Sequence, residues 1–157
     1  MESVQLLLIT NGMGIPSRPL VGWLADRYCG AINMYIITTL ILSGMTFAWI
    51  GVVSRGGIYA FTIFFGLANG AAQGVFVGSL AQLTPDVRKM GTRFGMVCTI
   101  VGFASLAGPP TAGAIIGKSG GSYLWAQVWA GLVLLLGSAA LAASRCYVTG
   151  LKFWVKI

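Results

Sequence analysis

Five long apolar stretches, each closed by a short polar or glycine-rich break, organise this chain. They cover residues 4–25, 32–53, 58–83, 94–117 and 123–143. The breaks are Asp26-Arg27-Tyr28-Cys29-Gly30, Ser54-Arg55-Gly56-Gly57, Thr84-Pro85-Asp86-Val87-Arg88-Lys89 and Lys118-Ser119-Gly120-Gly121. Each stretch is about 20 to 26 residues, enough to cross a hydrocarbon core of roughly 30 Å at about 1.5 Å per residue. Strands would leave backbone groups unpaired in lipid, and no short alternating segments of the barrel kind occur, so the stretches are expected to be helices. The connections are short, which makes sequence neighbours antiparallel. The pattern predicts an all-α polytopic membrane bundle with about five transmembrane helices.

Composition agrees. Of 157 residues, 57% are hydrophobic and only 8% charged, against about a quarter charged in soluble domains. Ten Lys/Arg and three Asp/Glu cannot wet the surface of a chain this apolar, so its solvent is partly a lipid bilayer. The formal charge of +7 would suit nucleic acid, but the basic residues sit singly at the ends of apolar runs and form no stripe. Such placement sets membrane orientation instead. One side would hold Arg27, Arg88, Lys89, Arg93, Arg145, Lys152 and Lys156, the other Arg55 and Lys118. The richer side is expected to be cytoplasmic, which puts the N-terminus outside and the C-terminus inside. Neither plasma membrane nor an internal membrane is singled out. No cleavable leader pattern is present. A first span starting three residues after Met1 reads as a chain that begins within something larger.

Enzymatic and metal chemistry find no purchase. The chain lacks histidine, no acidic residue lies within a span, and Cys29, Cys98 and Cys146 are odd in number and scattered. No metal site, cofactor or catalytic residue is expected.

Polar and small residues inside the spans are more informative. Gly66, Gly70, Gly74 and Gly78 recur every four residues, near one helix face, and allow close approach of a second backbone. Asn69 and Gln73 sit between them, either bridging helices by hydrogen bonds or lining a polar cavity. Gly108-Pro109-Pro110 removes two backbone donors and predicts a kink or local unwinding of the fourth span. Arg18 lies about two turns inside the first span, where an unpaired charge costs several kcal/mol. Snorkelling over roughly 12 Å is long for an arginine, so an inward-facing cation in a wet cavity is expected. A guanidinium there would bind a carboxylate through two parallel hydrogen bonds. Gly22, Asp26, Arg27 and Gly30 close the same span, and the Asp26 carboxylate can accept from the amides opening the next helix.

Three stretches together resemble the major facilitator superfamily of secondary transporters, in particular the C-terminal half of fungal monocarboxylate-porter-like members. Asn11-Gly12-Met13-Gly14-Ile15-Pro16-Ser17-Arg18-Pro19-Leu20-Val21-Gly22-Trp23-Leu24-Ala25-Asp26-Arg27-Tyr28 resembles the family's eighth helix and the loop after it. Pro85-Asp86-Val87-Arg88-Lys89-Met90-Gly91-Thr92-Arg93-Phe94-Gly95-Met96 resembles the loop between helices ten and eleven. Leu106-Ala107-Gly108-Pro109-Pro110-Thr111-Ala112-Gly113 resembles the broken eleventh helix. The resemblance implies helices eight to twelve of a twelve-helix carrier that works by alternating access, with the N-terminal half as missing partner. It implies that Arg18 binds a small organic anion, that Asn69 and Gln73 shape the cavity, and that Gly22, Asp26, Arg27 and Gly30 form the loop controlling conformational switching. Gly14 stands where animal monocarboxylate porters place an acidic residue for proton coupling. The competing expectation is a truncated, non-transporting membrane remnant or interaction partner.

Overall fold

The computed structural model describes residues 2–84 and 86–149. Among them are five long helices and no strand: α1 (Glu2–Leu24), α2 (Ala31–Ala48), α3 (Arg55–Gln82), α4 (Met90–Lys118) and α5 (Leu124–Thr149). Short helical turns at Ala25–Cys29, Trp49–Gly51 and Val87–Lys89 link them. Lys152 and Lys156, counted above toward the cytoplasmic side, lie outside the described residues, as does Pro85.

The helices pack in a definite order. α1 and α3 run parallel, with Thr10 opposite Gly66, Gly14 opposite Gly70 and Arg18 opposite Gly74. α2 runs antiparallel to α3: Ala31 faces Gly78 and Gln82, Tyr35 meets Phe76, and Trp49 stacks on Phe61 at 5.9 Å. α5 is antiparallel to α2, where Ser43 Oγ donates to the Gly131 carbonyl at 3.0 Å and the Phe47 ring fills the space beside Gly131. The first turn of α4 meets the last turns of α3, with Phe94 at 6.5 Å from Phe76 and Arg93 donating to the Leu83 carbonyl at 2.8 Å, and α4 packs further on against α5. That guanidinium satisfies an orphan carbonyl at the α3 C-terminus and complements its partial negative charge.

The core is made mostly of small residues. Ala25, Ala31, Ala71, Ala72, Val75, Ser43 and Ser138 are buried together with Ile32 and Leu42, while Leu7, Leu8, Ile100, Phe103 and Leu106 face outward. Large side chains outside and small ones between helices are what lipid as solvent selects, since close backbone approach provides the packing. α4 has no buried residue at all among those described.

Among the described residues, four of the helical segments are long and apolar enough to cross a membrane by length and composition, Ala31–Gly51, Arg55–Gln82, Val87–Lys118 and Leu124–Tyr147, and α1 is the fifth long helix. α1 is diluted by Gln5, Thr10, Asn11, Ser17 and Arg18, although its polar groups are largely satisfied. Thr10 and Asn11 bond back to the carbonyls of Leu6 and Leu7, both at 2.9 Å, and Ser17 Oγ reaches Leu67 O at 2.6 Å. α4 stays helical through Gly108-Pro109-Pro110, so of the expected kink or unwinding the unwinding does not occur. Proline's fixed φ is itself helical, so the helix continues although the carbonyls of Ser105 and Leu106 lose their amide donors. No atom lies within 4 Å of where a Gly108 side chain would begin, so this glycine packs against nothing described.

The expected cap of α2 also changes: Asp26 is exposed and does not supply it. Gln82 does so instead: its Oε1 accepts from the amides of Ala31 at 3.0 Å and Ile32 at 3.3 Å. This contact ties the ends of α2 and α3 and satisfies two donors that a helix start leaves open. Gln82→Leu is expected to destabilise the fold by about 1–2 kcal/mol, as loss of an N-terminal cap does. Thermal unfolding in detergent checks it, and an unchanged midpoint would show that water replaces the cap at no cost.

Candidate substrate site

The glycines of α3 form the seam on which the site rests. A methyl group on Gly66 would fall 2.7 Å from Thr10 O, one on Gly70 2.5 Å from Gly14 Cα, and one on Gly74 2.9 Å from Arg18 Cα. Gly78 is looser, with the Ala31 Cβ at 3.4 Å. The four-residue period therefore runs against α1 for three positions and drifts onto α2 at the fourth. Two helices this close bring side chains at the seam's edge into direct contact.

Arg18 and Gln73 are such a pair. Arg18 Nη2 donates to Gln73 Oε1 at 2.7 Å, and both residues are exposed at the side of the seam. Asn69 is half-buried one turn earlier on α3, at the spacing that shares a helix face with Gln73. The structure thus joins two of the three sequence-nominated residues and sets the third beside them. Pro16 and Pro19 lack amide donors, which frees the carbonyls of Gly12 and Ile15 in the turns flanking Arg18. The guanidinium has five donors, and one bond to an amide oxygen leaves it able to hold an anionic oxygen pair side by side.

A cavity of about 480 Å³ between α1, α2 and α3 is a weaker candidate. Its lining is apolar apart from Ser17 and Thr38, whose hydroxyls already donate to the carbonyls of Leu67 and Met34. None of Arg18, Asn69 and Gln73 lines it.

The loop after α1 is a wide helical turn over Ala25–Cys29, closed by Gly30 N donating to Ala25 O at 2.8 Å. Gly30 has φ +78°, a conformation other residues adopt only with strain. Arg27 lies over the Trp23 ring at 5.4 Å and the Tyr28 ring at 6.0 Å, positions that favour cation–π attraction. A side-chain carbon on Gly22 would meet nothing within 4 Å beyond its own helix backbone. Sequence reasoning missed Gln82 and Ser17, because a cross-helix acceptor leaves no local spacing signal. Among the described residues no group of His, Cys, Asp and Glu could hold a metal ion.

Comparison with known proteins places the chain. No family-wide sequence profile and no solved structure matches it. Curated fungal proteins do. An MFS-type transporter of Gibberella zeae is 35% identical over 144 residues, 92% of this chain and 32% of that protein. The agnestins efflux protein AgnL12 of Paecilomyces divaricatus is 32% identical over 147 residues, 93% of this chain and 33% of its own length. The riboflavin transporter MCH5 of Saccharomyces cerevisiae is 28% identical over 158 aligned positions, 99% of this chain and 30% of that transporter. The chain spans about a third of the length of these relatives. Along nearly its whole length, the chain is thus similar to about a third of each of these fungal MFS-type transporters.

Proposed function

We propose that the chain supplies one side of the solute path in an alternating-access carrier for a small organic solute, with Arg18 as the anchor for a carboxylate. The observation carrying this reading is the 2.7 Å contact between Arg18 and Gln73 at the edge of a glycine seam. A charge far inside an apolar helix is costly in lipid unless it faces a partner or a wet path, and intramembrane cations of this kind mark such paths. Gln73 holds the guanidinium in place, and Asn69 adds a second polar group one turn away. The N-terminal part of the carrier would close the other side of the path, and the basic ends of the helices would face the cytoplasm. Relatives named for agnestins and for riboflavin differ in solute, so the proposal concerns the anchored group rather than a named molecule.

The test is a thermal-shift comparison on the polypeptide in its full encoded length, using matched pairs of organic acids and their primary amides. Acids are expected to raise the unfolding midpoint and amides to leave it unchanged. Equal stabilisation by both members of the pairs would remove the carboxylate assignment.

A further inference from the structure

A second pocket lies away from the solute path. It occupies about 330 Å³ between the turn after α1, the first turns of α2 and the last turns of α5. Its polar lining is Tyr28, Asn33 and Arg145, and Ile36, Ile37 and Ala142 provide apolar walls. The polar groups cluster at the helix ends, and the walls on α2 continue from there toward the middle of the bundle. This end also carries Arg27, Arg88, Lys89 and Arg93, whereas Arg55 and Lys118 lie at the opposite end.

Arg145 is only 5% exposed although it lines the pocket. It already has a contact within the protein, and the five donors of a guanidinium can serve further acceptors. Asn33 Nδ2 gives one of its two hydrogens to the Cys29 carbonyl at 2.7 Å. A buried cation, an amide and a phenol at the rim, above apolar walls that point into the hydrocarbon, match an amphiphile with an anionic head. Basic pockets between transmembrane helices near a membrane surface bind anionic lipid head groups.

We propose that this pocket holds the head group of an anionic phospholipid, with the phosphate at Arg145 and Asn33 and an acyl chain along Ile36 and Ile37. None of Arg18, Asn69 or Gln73 lines the pocket, so the site is separate from the solute path. The proposal needs only membrane embedding and is independent of the carrier reading.

The three cysteines supply the readout. Cys29 and Cys146 line the pocket and are half-buried, while Cys98 is exposed on α4 outside it. The polypeptide in its full encoded length is placed in nanodiscs of phosphatidylcholine, with or without phosphatidylserine, and the alkylation rate of each thiol by N-ethylmaleimide is followed. Phosphatidylserine is expected to slow Cys29 and Cys146 by about tenfold, the protection given by a ligand at roughly ten times its Kd, and to leave Cys98 unchanged. Arg145→Gln should abolish the protection. Should that variant fail to fold, Ala142→Trp, which fills the pocket from its apolar side, should abolish it equally. Equal rates in both lipids, or protection that survives a folded variant, would overturn the proposal. Protection by soluble glycerophosphoserine in phosphatidylcholine discs would likewise overturn it, because it would assign the pocket to a free phosphate.

Discussion

Arg18→Ala is expected to reduce solute flux by roughly 10- to 100-fold while leaving the folded bundle intact. A hydrogen bond to a charged group contributes about 1.5–3 kcal/mol, and about 1.4 kcal/mol is tenfold in affinity. The side chain is exposed at the edge of the seam and makes its one described hydrogen bond to Gln73, so its removal opens no core cavity. Arg18→Lys keeps the charge but loses the planar fork, and should restore only part of the flux. Gln73→Ala frees the guanidinium from its positioning contact and should weaken apparent affinity more than maximal rate. Flux measured at equal protein in proteoliposomes checks all three. Wild-type flux in Arg18→Ala would remove this residue from the solute path.

Gly70→Leu is expected to have the largest structural effect. Even a methyl group at this position would sit 2.5 Å from the Gly14 Cα, so no rotamer of leucine escapes the clash. Overpacking relieved by side-chain shifts costs about 1–3 kcal/mol, and here the contact is backbone on backbone, so α1 must move off α3. That displacement would break the Ser17–Leu67 and Arg18–Gln73 bonds together. The variant should be lost from the membrane fraction, and Gly70→Ala should show an intermediate fall in thermal midpoint. Gly78→Ala is the matched control, because its nearest neighbour at 3.4 Å is a side-chain methyl that can yield. Equal midpoints for Gly70→Ala and Gly78→Ala would show that the seam tolerates separation.

Much of this arrangement was legible in the sequence where one physical rule acts on a single helix. Hydrophobic length gave the helical bundle, and a four-residue glycine period marked a face for close approach, although spacing did not say that α1 was the partner. Arg18 stood out because a charge inside an apolar run needs a reason. Its bond to Gln73 depends on a parallel α1–α3 register that only packing defines. Proximity in sequence points to Asp26 as the cap of α2, whereas Gln82 reaches the Ala31 amide from 51 positions away. The Gly108-Pro109-Pro110 run suggests a kink or unwinding because proline lacks a donor, and the helix does not unwind because proline's φ suits it. Cys29 and Cys146 are far apart in sequence and read as scattered thiols. The antiparallel packing of α2 and α5 brings both into one pocket.

Counterflow tests the carrier assignment most directly. The polypeptide in its full encoded length is reconstituted into proteoliposomes loaded with unlabelled organic acid, and entry of the labelled acid is followed with no net gradient. A site exposed alternately to the two sides should give saturable entry that rises with internal substrate and falls in Arg18→Ala. Entry that is linear with concentration, indifferent to internal substrate and equal in protein-free vesicles would contradict a carrier built on this bundle.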